Sequence, residues 1–280
     1  MTIDGATYSV DTPEDEIVDW RQSLSLEHGL VQTEISWQPS NSMINGTFDL
    51  KYTLLTSRTR PTLGVVRLDI SGVPDNTTVY LTDLLDGAGS WRTEPVSAGP
   101  VPNGSESTIH TAVQPVGVPN VTAYEVSLFD LKPADASSSP NSTTDFKVSD
   151  SPMCYEVASM NASTASQCYE ITSRGEPLTA YKWVGIASTD AFPGEELETA
   201  LNASMKGMSD GWDAVLQEHQ DEWQKTWDDA DIEIPGEDMM QLQLATRASL
   251  FHLLTNVRNA SEGSGLGDNS IAPAGLTSDS

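Results

Sequence analysis

The first 190 residues carry short alternations of apolar and polar positions separated by turn-forming residues. In the segment VQTEISW, Val31, Thr33, Ile35 and Trp37 alternate with polar residues, and residues 47–55, TFDLKYTLL, repeat this period. A period of two places alternate side chains on opposite faces of a strand. Similar runs at residues 63–71, 77–85, 123–131 and 181–188 are bounded by Gly, Pro, Asn or Ser. The pattern predicts an antiparallel β-sandwich over residues 1–190.

The period of the apolar positions changes to a helical one near Pro193. Residues 193–231 predict two helices that are separated near Gly207–Gly211. Asp210 is predicted to cap the second helix, because its carboxylate can accept hydrogen bonds from the free N–H groups of the first turn. One stripe of this helix contains Trp212, Leu216, His219, Trp223 and Trp227. We expect residues 191–235 to form a helical linker.

A further helical pattern covers residues 237–258 and has apolar residues on several faces. One row contains Leu244, Arg247, Phe251, Leu254 and Arg258, while Leu242 and Leu253 lie on other rows. A helix that is apolar on more than one side is typical of an element enclosed by several neighbours. The segment that follows, GLGDNSIAPAGLTSDS at residues 265–280, is small and turn-prone.

The net charge of −27 limits the classes of partner that the chain can bind. Nucleic acid and anionic membrane surfaces would repel such a chain, so neither is an expected partner. No apolar run approaches the length of about 18 residues that predicts a membrane span. The N-terminal residues lack both the basic region and the apolar core of a secretory signal, so we expect no signal sequence within this chain.

Eight N-x-S/T sequons nevertheless indicate passage through the secretory pathway. The predicted glycosylation sites are Asn45, Asn76, Asn103, Asn120, Asn141, Asn161, Asn202 and Asn259. We therefore expect a location that is secreted, at the cell wall or periplasm, or vacuolar. The chain has sequons but no signal sequence, and its last helix has several apolar faces that need packing partners. These two features predict a chain that is cut at both ends.

The two cysteines, Cys154 and Cys168, allow two interpretations. They could be separate free thiols, or they could form one local disulfide, which an oxidising compartment favours. Closure of a loop of about 15 residues would contribute roughly 3 kcal/mol by chain entropy. Their spacing matches no zinc motif, and we expect neither a metal nor a cofactor.

Several polar residues could carry chemistry, and each also has a structural interpretation. His219 could be a catalytic base, but its Trp-rich stripe favours a histidine that packs the helix on the sandwich. The arginines at positions 58, 60 and 67 could bind an anion, although pairing with the many carboxylates is favoured. The acidic run at residues 227–231 could hold a metal, although a solvated linker is favoured. GSGLGD lacks the preceding strand of a dinucleotide loop.

A glycosidase acid/base pair cannot be chosen from spacing, because it needs two facing carboxylates among 41 acidic residues. We therefore assign no catalytic residue from the pattern.

The C-terminal third resembles the domain junction of glycoside hydrolase family 65. The resemblance lies in EHQDEWQKTWDDADIEIPG, QLQLATRASLFHLLTNVRN and SIAPAGLTSDS, and the last segment is most similar to the family's fungal acid trehalases. WRQSLSLEHGLVQTEISW, SRTRPTLGVVRLDI and LTDLLDGAGSWRTE also resemble the first β domain of this family.

The resemblance implies an N-terminal antiparallel β super-sandwich, a helical linker and an (α/α)6 barrel that carries the active site. Residues 236–280 would then be the start of a truncated barrel, with residues 237–258 as its first helix. The implied activity is inverting hydrolysis of α,α-trehalose to two glucose molecules by two carboxyl groups. In the family the sugar-binding motif and the general acid follow this region, so no catalytic residue is carried over to this chain, and Asp268 and Asp279 receive no role.

Two other functions stay open at the level of sequence. One is a non-enzymatic carbohydrate-binding glycoprotein, for which Trp20, Trp37 and Trp91 are candidate platform residues, although each is expected in the core. The other is a disaccharide phosphorylase of the same family, in which phosphate replaces the carboxylate that activates water.

Overall fold

The computed structural model describes residues 1–42, 44, 46–87, 92–102, 104–118, 120–133, 146–156 and 162–255. Most of the described residues up to Ser188 form two antiparallel sheets that face each other. Helices pack on the outer face of the larger sheet. The prediction of a mainly β protein with an antiparallel sandwich is confirmed. All six runs of alternating residues lie in strands.

The larger sheet has eight strands in the described part of the chain. Every pairing within it is antiparallel. In spatial order its strands are β3 (Ile17–Ser25), β4 (Leu30–Trp37), β5 (Phe48–Thr56), β6 (Leu63–Ser71), β13 (Leu178–Ser188), β10 (Ala123–Pro133), β9 (Thr108–Pro115) and β8 (Thr93–Pro100).

The smaller sheet has five described strands, and two of them are long. Its spatial order is β11 (Phe146–Val148), β12 (Thr164–Arg174), β7 (Asp75–Asp86), β1 (Thr2–Ile3) and β2 (Ala6–Thr7). The long strands β7 and β12 make up most of this sheet, since the other three strands contain only two or three residues each.

The main core lies between the two sheets. Alternate residues of the facing strands point into it, and the largest are aromatic. Trp37 and Phe48 pack together with ring centroids 5.5 Å apart, while Phe129 stacks on Tyr169 at 3.9 Å. These side chains are buried, as the period-two pattern requires. The sandwich is therefore held together by inter-sheet apolar contacts.

An ion pair between a buried aspartate and a partly buried lysine interrupts this apolar layer. Asp83 of β7 lies 2.8 Å from the ammonium group of Lys182 on β13, and it accepts a hydrogen bond of 2.5 Å from the Ser127 hydroxyl. Lys182 also donates to the carbonyl of Leu84 at 2.7 Å. The two sheets are thus joined by a charged contact whose partners are hydrogen-bonded, as a buried charge requires.

Three α-helices follow the strands in the described part of the chain: α1 (Glu196–Asp210), α2 (Trp212–Ala230) and α3 (Met240–Thr255). Helix α1 packs on the outer face of the larger sheet at Gly185 of β13. A Cβ atom at Gly185 would lie 1.7 Å from the carbonyl oxygen of Ala200, so this close approach requires glycine. None of the described helices is both long enough and apolar enough to span a membrane.

The two predicted helices before Asp231 are confirmed, but the predicted cap of the second is wrong. Asp210 is the last residue of α1, where its carboxylate pairs with Arg60 at 2.7 Å and with Lys206 at 2.5 Å. Gly211 occupies the N-cap position of α2 and has a φ of 84°. The chain needs a positive φ at this break, and glycine adopts it with least strain.

Helix α3 is more exposed than α1 and α2. Among the described residues of α3, Phe251 alone is buried. Four apolar residues are between 53% and 79% exposed: Met240, Leu242, Leu244 and Leu253. A short 3-10 turn at Glu237–Met239 precedes it. Residues 256–280, which include the end of the predicted helix, Asn259, Asp268 and Asp279, lie outside the described residues.

The structure joins Cys154 and Cys168 in a disulfide, with their Cα atoms 6.0 Å apart. Cys168 lies on β12, and Cys154 lies in the segment between β11 and β12. The bridge ties this segment to the smaller sheet.

Candidate functional site

Helices α2 and α3 meet the larger sheet at two of its hairpins, and this junction is the candidate site. The hairpins are residues 25–30, between β3 and β4, and residues 56–63, between β5 and β6. Trp223 of α2 lies between them and α3, where it stacks on Phe251 with ring centroids 4.8 Å apart. A Cβ atom at Gly29 would lie 2.2 Å from Nε1 of Trp223, so the first hairpin approaches the indole closely. Trp223 thus connects its own helix, α2, to α3 and to the first hairpin.

His219 bonds to both hairpins. Its Nδ1 accepts a hydrogen bond from the backbone N–H of Arg58 at 3.0 Å, and its Nε2 donates to the carbonyl of His28 at 2.7 Å. The imidazole is 1% exposed. Burial lowers the pKa of His219, and the hydrogen bond to the His28 backbone opposes this only in part. The geometry supports the packing interpretation of His219.

Arg58 links the second hairpin to both helices. Its guanidinium lies 5.2 Å from the centre of the Trp223 ring, in a cation–π arrangement. The same group donates to the carbonyl of Leu254 near the C-terminus of α3 at 2.9 Å. Trp227 adds a bond from its indole N–H to the carbonyl of Leu26 at 3.1 Å. These contacts fix where α3 leaves the sandwich.

A groove of about 770 Å³ opens beside this junction. Its described lining is mainly apolar and includes Leu24, Ile186, Phe192 and Phe251, with Arg58 as its charged residue. No described lining residue is Asp or Glu. Among the described residues, the lining of the groove thus provides no carboxylate pair of the kind that glycoside hydrolysis needs. The described residues also contain no cluster of three or more His, Cys, Asp or Glu side chains that could hold a metal.

The other predicted candidates have structural partners. Arg60 forms a two-bond contact with Glu218 at 2.7 and 2.9 Å, in addition to its pair with Asp210. Arg67 pairs with Asp69 at 2.8 Å. Arg60 and Arg67 therefore pair with carboxylates, as the favoured interpretation has it, whereas Arg58 contacts the Trp223 ring and the carbonyl of Leu254.

The acidic run at residues 227–231 is the C-terminal end of α2 and its cap. Asp231 pairs with Arg247 of α3, and the shared hydrogen bonds lower the pKa of Asp231. This pair links the end of α2 to α3, a contact that the spacing of the acidic residues does not reveal.

The three candidate tryptophans of a sugar platform differ in position. Trp37 is fully buried, as expected, and donates from its indole N–H to Glu16 at 3.1 Å. The expectation of a core position is wrong for Trp20, which is 57% exposed on β3. Trp91 lies outside the described residues. No described pair of these residues forms a platform.

Of the predicted glycosylation sites, Asn76, Asn120 and Asn202 are described, and all three are exposed. Asn45, Asn103, Asn141, Asn161 and Asn259 lie outside the described residues.

Comparison with known proteins gives concordant results. Residues 1–226 match the N-terminal domain of glycosyl hydrolase family 65. The chain is 29% identical to a periplasmic acid trehalase of Saccharomyces cerevisiae over 95% of its own length and 21% of the length of that protein. It is 29% identical to a cell wall acid trehalase of Arthroderma benhamiae, over 99% of this chain and 26% of the relative. An acid trehalase of Emericella nidulans is 25% identical, over 100% of this chain and 26% of the relative.

A solved structure, provisionally described as a kojibiose phosphorylase from the human microbiome, shares the fold. Its TM-score is 0.64 at 16% identity, over 86% of this chain and 29% of that one. The chain thus spans about a fifth to a quarter of the length of the curated relatives that it matches. The family match covers all of the described sandwich, helix α1 and most of α2. The chain therefore belongs to glycosyl hydrolase family 65.

Proposed function

We propose that this chain is the N-terminal portion of an acid trehalase, whose whole protein hydrolyses α,α-trehalose to two glucose molecules. The observation that carries the proposal is the alignment of 95–100% of the chain with fungal proteins named acid trehalases. The aligned region is only 21–26% of the length of these relatives, so the proposal assigns the reaction to the whole protein.

The proposed role of this portion is to position a catalytic domain. Residues 1–190 would be the sandwich domain, residues 191–235 the linker, and residues 236–280 the start of a helical barrel. The contacts of Arg58, His219 and Trp223 support this role, because they fix the direction in which α3 leaves the sandwich. The exposed leucines of α3 also support it, because they provide an apolar surface on which further helices can pack.

The proposed reaction proceeds with inversion at the anomeric carbon. A protonated carboxyl group donates its proton to the glycosidic oxygen, while a second carboxylate removes a proton from water on the opposite face of the sugar. Such carboxyl groups lie about 6.5–9.5 Å apart. We place both in the part of the protein beyond this chain, as the family resemblance implies.

The test is an assay of glucose release from trehalose at acid pH, with the 280-residue chain and the longer protein compared at equal concentration. We expect turnover only in the longer protein. Turnover by the 280-residue chain would contradict the placement of the catalytic groups. Release of a sugar phosphate that depends on added phosphate would instead identify the disaccharide phosphorylase.

We further propose that the protein is secreted, to the cell wall or periplasm or to the vacuole, and carries N-linked glycans. Support comes from two relatives that are named as periplasmic or cell wall enzymes, and from the exposure of Asn76, Asn120 and Asn202. Enzymatic removal of N-glycans from the protein purified from its source should lower its mass. An unchanged mass would contradict the proposal.

A further inference from the structure

Strand β3 is a free edge of the eight-stranded sheet. It pairs with β4 on one side, and no described strand pairs with its other side. All nine of its residues are exposed or half-exposed. A strand of this length with unpaired N–H and C=O groups is a template for pairing with another strand.

The other described edge strands are irregular or short, whereas β3 is long and regular over most of its length. Strand β8, at the far edge of the same sheet, contains Pro95 and Pro100 and has an irregular register near Pro95. The edge strands of the smaller sheet, β2 and β11, have two and three residues. Proline, irregular register and short length all block strand addition. Strand β3 has no proline and no lysine.

Trp20 and Leu24 lie in one row of β3 with Gln22 between them, and Val18 lies at the register shift. Val18 is 61% exposed, Trp20 57% and Leu24 41%. Arg21, on the opposite face, is paired with Glu34 of β4. The edge therefore combines unpaired backbone groups with apolar side chains. The positive charge of Arg21 is neutralised by Glu34.

The register of β3 determines how a second copy could pair with it. Its regular ladder with β4 runs from Asp19 to Ser25, because the register shifts between Ile17 and Asp19. The centre of these seven residues is Gln22. In an antiparallel pair related by a two-fold axis, facing residues must lie on the same face of the sheet, so one residue faces its own copy and the axis passes midway between the two.

We propose that β3 pairs with β3 of a second copy of this chain, with the two-fold axis at Gln22. Trp20 then faces the partner's Leu24 twice across the axis, and aromatic–aliphatic pairs of this kind stabilise strand pairing. On the other face Arg21 is opposite the partner's Ser23, and Asp19 is opposite the partner's Ser25. No two like charges are directly opposite each other.

The expected dimer is weak. Seven paired residues bury less surface than the roughly 1,200 Å² of a stable interface. Each copy carries a net charge of −27, so the two copies repel each other at long range. Because salt screens this repulsion, the dimer should strengthen as the ionic strength rises.

Sedimentation of the 280-residue chain at increasing concentration and high ionic strength tests the pairing. We expect a monomer–dimer equilibrium that Gln22→Lys weakens about fivefold, since it places two lysines face to face. Gln217→Lys is the matched control, because it makes the same change of charge at an exposed position on α2. Leu244→Lys controls for association through the apolar surface of α3. The proposal is wrong if the chain stays monomeric, if Gln22→Lys has no more effect than Gln217→Lys, or if only Leu244→Lys weakens the dimer.

A cross-linking experiment tests the register itself. Gln22→Cys places two thiols opposite each other on the axis, at a separation that a disulfide can bridge. Mild oxidation should convert this variant to a covalent dimer several times faster than Ser23→Cys, an exposed neighbour that would face Arg21 of the other copy. The native cysteines do not interfere, since they are bonded to each other. Equal rates for the two variants would overturn the proposed register.

Discussion

His219 shows how a single side chain can join three elements. Both ring nitrogens bond to backbone groups, one to Arg58 and one to His28, and the two bonds together require a neutral ring with its proton on Nε2. Protonation of Nδ1 would break the bond from the Arg58 N–H. The attachment of α2 to the hairpins therefore depends on the charge of this histidine.

The lowered pKa of His219 predicts a loss of stability in acid. Above the unfolded value of about 6.5, both states hold a neutral ring and the contribution to stability is complete. As the pH falls below that value, the unfolded state takes up the proton first. The free energy of unfolding therefore declines until the pH passes the lowered folded pKa.

Urea unfolding at pH 7 and pH 5 checks this prediction with His219→Gln. We expect the variant to be less stable than the wild type at pH 7 by about 1–3 kcal/mol, because the amide replaces the two bonds imperfectly. The difference should shrink at pH 5, where the wild type alone loses the histidine contribution. His28→Gln is the control, since it changes a partly exposed imidazole and keeps the carbonyl that bonds to His219. A difference that is the same at both pH values would contradict the prediction.

At the same scale, the sequence could predict His219 but not Asp83. The histidine lies on an apolar stripe of helical period, so its packing role follows from spacing. Asp83 lies in an inward row with Val79 and Leu81, where the pattern alone predicts an apolar residue. Its partner Lys182 is 99 positions away along the chain (182 − 83), and local patterns contain no information on such pairs.

The contact between α1 and β13 depends on the absence of a side chain at Gly185. Its paired strand β6 provides an internal comparison, because Val184 faces Gly64 in the register of the two strands. A Cβ atom at Gly64 would lie 3.7 Å from the carbonyl of Leu55, which is ordinary contact. The two glycines lie on neighbouring strands, and only Gly185 is covered closely by the helix.

We predict that Gly185→Ala destabilises the protein by about 3 kcal/mol, because the added methyl group must push α1 away from the sheet. Gly64→Ala should change the free energy of unfolding by less than about 1 kcal/mol. Chemical denaturation of both variants, followed by circular dichroism, measures the difference. Equal effects of the two substitutions would show that α1 is not packed on β13 as described.

Elements with a clear period were predictable, and those without one were not. The six strands found from sequence have apolar residues at every second position, whereas β3 and β8 are mostly exposed edge strands and follow no core pattern. The position of the Gly211 break was predicted within a few residues. The wrong cap at Asp210 arose because a carboxylate before a helix is a common capping signal, while here Arg60 binds it.

At the scale of the whole molecule, α3 is the element whose sequence and surroundings disagree. Its leucines lie on several faces, yet Phe251 is the one apolar side chain that the described residues bury. The sequence predicted this helix and its many apolar faces. It could not show where the neighbours of the helix lie, since the contacts of such a surface are made by residues distant along the chain.

This disagreement gives a prediction that depends on context. In the 280-residue chain, Leu244→Glu should change the free energy of unfolding by less than about 0.5 kcal/mol, because Leu244 is 61% exposed. In the longer protein, if further helices cover this face, the same change would bury an unpaired carboxylate and destabilise by several kcal/mol. Phe251→Ala serves as the control, since Phe251 packs on Trp223 and its loss should cost about 3–5 kcal/mol in both contexts. Urea unfolding of both variants in both chains measures these values. A small effect of Leu244→Glu in both contexts, with a large effect of Phe251→Ala, would contradict the assignment of α3 as an enclosed barrel helix.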